Sequence, residues 1–133
     1  MNDYHAHRYS IIVDRSLARV YERWLEFENV PLLVPGHCTL RKLEEGRFLM
    51  TLLVDGQERR TVVRVLLRVP ERRIAWQAES ETREAGVVLF ERVSDRSSEV
   101  SVRIHSDADP TTLRKVALEC LERFKQFAES ESP

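Results

Sequence analysis

The chain has 133 residues, 42% hydrophobic and 32% charged, the length and composition of one compact domain that buries roughly two thirds of its unfolded surface. Twenty-one basic residues stand against 22 acidic ones for a formal net charge of -1, which supplies no basic face for a phosphate backbone and disfavours nucleic acid as a partner. No run approaches the ~18 apolar residues of an integral membrane segment, and the opening MNDYHAHRYS lacks the apolar core of a secretory signal, so a cytoplasmic location is expected.

In chain order, His7 to Val13 is rich in β-formers and sets Tyr9, Ile11 and Val13 on one face at period two, which predicts a strand. A cap at Asp14 or Ser16 then opens a helix whose apolar residues Leu17, Val20, Tyr21, Trp24 and Leu25 recur at three-to-four spacing. The stretch FENVPLLVPGH, Phe27 to His37, sets two prolines around an apolar run too short for a helix. Its Leu32, Leu33 and Val34 are expected to form a lid or an anchored loop.

From His37 onward, short alternating runs recur between turn signals. Strands are expected over Cys38 to Leu43, Phe48 to Val54, Thr61 to Val69, Arg73 to Glu79, Gly86 to Val93 and Glu99 to His105. Gly46 and the Asp55-Gly56 pair mark hairpins, and Ser80 to Glu84 and Ser94 to Ser98 mark polar turns. Asp109 as cap and Pro110 at the first helical position open a long amphipathic helix, with Leu113, Val116, Ala117, Cys120, Leu121, Phe124 and Phe127 on its apolar face. Only the last few residues are expected to be disordered. The two cysteines, Cys38 and Cys120, lie in different apolar contexts without metal-ligand spacing, which predicts buried free thiols rather than a disulfide.

Consecutive antiparallel strands in such number make a strongly twisted sheet that curls around whatever covers its apolar face, here the last helix. A curled sheet gripping one helix seldom fills its interior, so a ligand cavity is expected between them.

The segment SIIVDRSLARVYERWLEFENVPLLVPGHCTLRKL resembles the opening of the polyketide cyclase/dehydrase and lipid-transfer superfamily, the START and birch-pollen-allergen-like helix-grip proteins. The resemblance rests on the Val20-Tyr21 pair, the acidic run Glu26-Phe27-Glu28-Asn29, and Pro31 and Pro35. RVPERRIAWQAES is similar to the family's strand-turn-strand with its inward aromatic, Trp76, and AGVVLFERV to its strand with Gly86 and Phe90. The chain departs from the family pattern at Arg15-Ser16, where Ala-Pro is common, and at Leu33, where an aromatic is common. The similarity in element order covers nearly the whole chain and implies an α+β helix-grip fold. In that fold a curved antiparallel sheet of about seven strands wraps a long C-terminal helix, with one or two short helices after strand one.

Alternation places Phe48, Met50 and Leu52, Val63, Val65 and Leu67, Ile74, Trp76 and Ala78, Val88 and Phe90, and Val100, Val102 and Ile104 inward. Of these, Phe48, Met50, Leu52, Val65, Leu67, Trp76, Val88, Phe90 and Val102, together with Leu33 from the lid and Leu113, Ala117, Cys120 and Phe124 from the last helix, are the candidate ligand-binding residues. Polar candidates are few. The resemblance implies a pocket arginine at Arg68, whereas alternation turns Arg68 outward unless a bulge reverses the strand. His37 at the Pro-Gly turn is a candidate proton shuttle, and Tyr9 and Tyr21 could present hydroxyls. His5 and His7 have no acidic or thiol partner in sequence, and no metal site is expected. No nucleophile motif, phosphate loop or cofactor motif is found, so no cofactor is expected.

Three functions follow. The chain binds a small hydrophobic molecule (a lipid, a quinone or a polyketide-like compound) as carrier or presenter, or it is an aromatase/cyclase-like enzyme acting by proximity and proton transfer, or it is an interaction module with a filled core. A homodimer is compatible with each.

Overall fold

The computed structural model describes residues 5–54, 56–79, 84–106 and 108–130. Asp55 of the expected DG turn, most of the polar turn from Ser80, the final residues expected to be disordered, and the His5 side chain lie outside what is described.

The elements in chain order are β1 (His5–Val13), α1 (Leu17–Phe27), β2 (Leu32–Val34), β3 (Cys38–Glu44), β4 (Arg47–Val54), β5 (Gln57–Val69), β6 (Arg73–Ala78), β7 (Ala85–Ser94), β8 (Ser97–Ser106) and α2 (Pro110–Glu129). Local chemistry sets the helix starts. The Ser16 hydroxyl accepts from the Arg19 amide at 3.4 Å, so the α1 cap is Ser16 and not Asp14. The Asp109 carboxylate accepts from the Thr112 amide at 3.2 Å, and Pro110 fills a position whose missing N–H costs nothing. At the β3–β4 hairpin Gly46 takes φ 77°, a left-handed conformation that glycine enters without the Cβ clash.

The eight strands form one sheet in the order β1-β8-β7-β6-β5-β4-β3-β2, antiparallel at every step. The chain leaves β1 at one edge and resumes at β2 on the opposite edge, so α1 has to cross the open side of the sheet. α2 lies in the concavity and packs against α1, β1, β2 and β8. Fold and wrapping helix are as expected, with an extra strand. The stretch between the two prolines is β2, paired with β3 through Leu32↔Leu40, Leu33↔Thr39 and Val34↔Cys38. Three residues are too few for a periodic signal, so the sequence read it as lid or loop.

The second difference is a bulge. In β5, Val65 pairs with Trp76 but Leu67 pairs with Ala75, so Leu66 is an extra residue in the ladder. Alternation holds as far as Val65 and is then displaced by one. Leu66 and Leu67 both face solvent, and Arg68 turns back toward the interior. The inward assignment of Leu67 is thereby corrected.

The largest apolar cluster joins both helices to β1, β7 and β8. Trp24 lies edge-on to Phe124 with ring centroids 4.9 Å apart and to Phe90 at 6.1 Å, and Tyr21 meets Phe90 edge-on at 5.3 Å. These rings close one end of the sheet-helix interior. Toward β3, β4 and β5 the packing is looser, in two smaller clusters around Leu52 and Phe48.

Candidate ligand cavity

Between those clusters and α2 lies a cavity of about 170 Å³. Its sheet wall follows from period-two alternation on successive strands: Cys38 and Leu40, Phe48, Met50 and Leu52, Val63 and Val65, Ile74 and Trp76, Val88, Val102 and Ile104. α2 contributes Leu113, Val116, Ala117 and Cys120 at helical spacing. Trp24, Phe27, Glu28, Val30 and Leu32 come from α1 and the segment after it, and Glu84, just before β7, and Ser106, at the end of β8, complete the lining. Val30 is also solvent-exposed, which puts the outer edge of the cavity at the α1–β2 connection. Gly86, opposite Trp76, lets the indole lie across the β7 backbone, since a Cβ there would stand 2.4 Å from Trp76 Cζ2.

Of the residues expected to bind ligand, Phe48, Met50, Leu52, Val65, Trp76, Val88, Val102, Leu113, Ala117 and Cys120 line this cavity. Four do not. Leu33 is 53% exposed because neighbours in a strand alternate, and the lining residue of β2 is Leu32. Leu67, 41% exposed, is displaced by the bulge. Phe90 and Phe124 are buried in the aromatic cluster around Trp24, and Trp76 packs with Phe48, Val63 and Ala78 instead of beside Phe90. The lining from α1 was missed because Trp24 read as helix packing alone and Phe27 as the start of the stretch that carries the two prolines. Glu84 and Ser106 were missed as turn and strand-end residues, yet the inward series of β8 reaches Ser106 two positions past Ile104, and that of β7 reaches Glu84 four positions before Val88.

The polar groups fall at the margins. Arg68 Nη1 and Nη2 donate to the two carboxylate oxygens of Glu28 at 2.9 and 2.8 Å. The side chains are 26% and 10% exposed, and Glu28 faces the cavity. The favoured outward orientation of Arg68 is thus overturned by the bulge. The hydrogen bonds from Arg68 to Glu28 hold the guanidinium pKa above its ordinary value. At the other end Arg59 Nη2 donates to Glu84 Oε1 at 2.5 Å, and the Glu84 side chain is 2% exposed. Ser106 is buried, and its hydroxyl oxygen accepts from the Ala108 amide at 3.1 Å.

Cys38 and Cys120 are free and face the same void despite their separation in sequence. Burial pushes the Cys38 thiol up to about 11, and burial with the neighbouring Cys38 pushes Cys120 up to about 12, so neither is a nucleophile at neutral pH. His37 is half-buried outside the lining, its amide donating to the Val34 carbonyl at 2.9 Å. Tyr9 also lies outside the lining, stacked on His7 with centroids 6.4 Å apart. Tyr21 is buried against Phe90. Among the described residues, no three His, Cys, Asp or Glu side chains are placed to hold a metal, and no helix is long and apolar enough to cross a membrane.

The family model described as polyketide cyclase / dehydrase and lipid transport matches residues 13–124. An uncharacterised 17.2 kDa protein from the melC2-rnhH intergenic region of Streptomyces lincolnensis is 26% identical over 130 residues, covering 90% of this chain and 87% of that protein. Among solved structures, the Zhui aromatase/cyclase of Streptomyces sp. R1128 superposes with a TM-score of 0.72 at 11% identity, over 95% of this chain and 94% of the other. A START superfamily protein of Mycobacterium smegmatis gives a TM-score of 0.67 at 14% identity, over 92% and 98%. At these identities the structural likeness establishes the fold.

Proposed function

This chain belongs to the polyketide cyclase / dehydrase and lipid transport family, and from that membership we propose that it binds one small hydrophobic molecule in the cavity between sheet and α2, as a carrier or presenter. The observation that carries the reading is an almost wholly apolar wall around space that α2 leaves unfilled. A filled core would serve an interaction module equally well; a void of about 170 Å³ is a standing cost in lost contact unless something occupies it. The size restricts the occupant. An apolar cavity of about 150 Å³ takes a benzene ring, whereas pockets for drug-sized ligands run to about 300–1,000 Å³. The enclosed part therefore suits one ring or a short acyl chain, and a larger lipid, quinone or polyketide would extend past Val30.

The second reading is an aromatase/cyclase-like reaction, and the Arg68–Glu28 pair at the cavity edge is the observation in its favour. Both terminal nitrogens of Arg68 are engaged by Glu28, which leaves the guanidinium poorly placed to polarise a substrate carbonyl. The carrier reading accordingly stands first.

The test is calorimetric titration with p-xylene, followed in parallel by tryptophan emission. Saturable 1:1 binding is expected. Because Trp24 as well as Trp76 lines the cavity, Trp24→Phe and Trp76→Phe should each retain part of the emission change. No saturable binding up to the solubility limit would set the reading aside.

A further inference from the structure

We propose that the cavity selects an apolar molecule bearing one hydroxyl, and that Glu84 accepts the hydrogen bond from it; this deepens the binding function proposed above and rests on it. Glu84 lines the cavity, and the two oxygens of its carboxylate are used differently. Oε1 accepts from Arg59, while Oε2 is buried with no hydrogen-bond partner among the described residues. A buried acceptor left without a donor costs the desolvation of that group, so its retention in a wall whose other carboxylate, Glu28, is paired through both oxygens calls for an occupant that supplies the donor. A ligand hydroxyl can do so, and one replacing a water there keeps the hydrogen bond while freeing the water.

The charge state narrows the donor. Arg59 already balances the carboxylate, so an ammonium would bring an uncompensated charge into an apolar cavity, whereas a neutral O–H brings none. Ser106 completes the complement. Ala85 pairs with His105, so Glu84 and Ser106 stand opposite one another one step further along the strands, and both line the cavity. The Ser106 oxygen accepts from the Ala108 amide, which leaves its proton to point toward a ligand oxygen. A hydroxyl both donates and accepts, and this end of the cavity offers one group for each role. The remainder of the wall fits the apolar body.

The experiment compares p-cresol with p-xylene, which differ by a hydroxyl in place of a methyl on one ring of matched shape. Dissociation constants for both are measured in the wild-type protein and in Glu84→Gln. The expected result is a preference for p-cresol over p-xylene that falls at least about tenfold in Glu84→Gln, the lower end for a hydrogen bond to a charged group. The wild-type protein gives a second readout that needs no variant. The infrared difference spectrum between the p-cresol-loaded and p-xylene-loaded protein should show a shifted carboxylate stretch. If both rings bind but the preference is the same in both proteins and no carboxylate band moves, the role of Glu84 is overturned and the cavity function stands. If neither ring binds the wild-type protein, both are overturned.

Discussion

Arg68 and Glu28 are 40 positions apart in sequence, and a close two-pronged pair between them replaces the hydration of two charges near an apolar cavity. Whether such a pair stabilises the fold depends on what is left when one partner goes. Arg68→Ala should leave Glu28, only 10% exposed, without its cation, and should destabilise the protein by about 1–3 kcal/mol in urea melts. Replacing both residues by Met and Leu should recover most of that loss, because the penalty belongs to the unpaired carboxylate. Arg92 and Asp95, an exposed pair on the β7–β8 turn, make the control. Arg92→Ala should shift stability by no more than about 0.5 kcal/mol, since solvent screens such pairs and side-chain entropy opposes them. A loss at Arg68 as small as at Arg92 would show that the Glu28 carboxylate is adequately hydrated alone.

Leu67 and Leu52 test the element scale, since both were expected to face the interior and only Leu52 does. The bulge at Leu66 leaves Leu67 in solvent, so Leu67→Gln should change stability by about 0.5 kcal/mol or less. Leu52→Ala, which deletes a nearly fully buried side chain and enlarges the void beside it, should cost about 2–5 kcal/mol. Equal losses at the two sites would place Leu67 inside and remove the bulge. The contrast also marks what a sequence can disclose. Element order, the cap at Asp109, the start of α1 at Asp14 or Ser16, and most of the inward faces were legible because each is written in local periodicity or in capping residues. β2 was not legible, because three residues cannot display a period. Nor was the bulge, because an extra leucine in a run of apolar residues leaves no compositional trace. The ion pairs Arg68–Glu28 and Arg59–Glu84 depend on which strands and loops meet, and no local pattern encodes that. The cavity wall was therefore largely foreseen and its charged ends were not.

At the scale of the whole molecule, β1 and β2 form the opposite edges of the curled sheet, and α2 packs against both across the concavity. Its apolar face fills that space tightly at Leu121 and Phe124, where the aromatic rings gather, and incompletely at Ala117 and Cys120, where small side chains face the void. The opening in the core is thus set by residue size on one helix face. Ala117→Leu projects a larger side chain from the same turn into unoccupied space. A leucine in a well-packed core would strain it by about 1–3 kcal/mol, but here the added methyl groups have room and gain contacts. Ala117→Leu should therefore be as stable as the parent protein or more so, with p-xylene affinity reduced at least about tenfold and recovered stepwise in smaller rings. Thermal melts with and without p-xylene read both quantities. The ligand should raise the melting temperature of the parent, by mass action on the folded state, and leave that of Ala117→Leu nearly unmoved. A variant that loses stability while still binding p-xylene would mean that the void lies elsewhere than against Ala117, and that the ring is held by a different part of the fold.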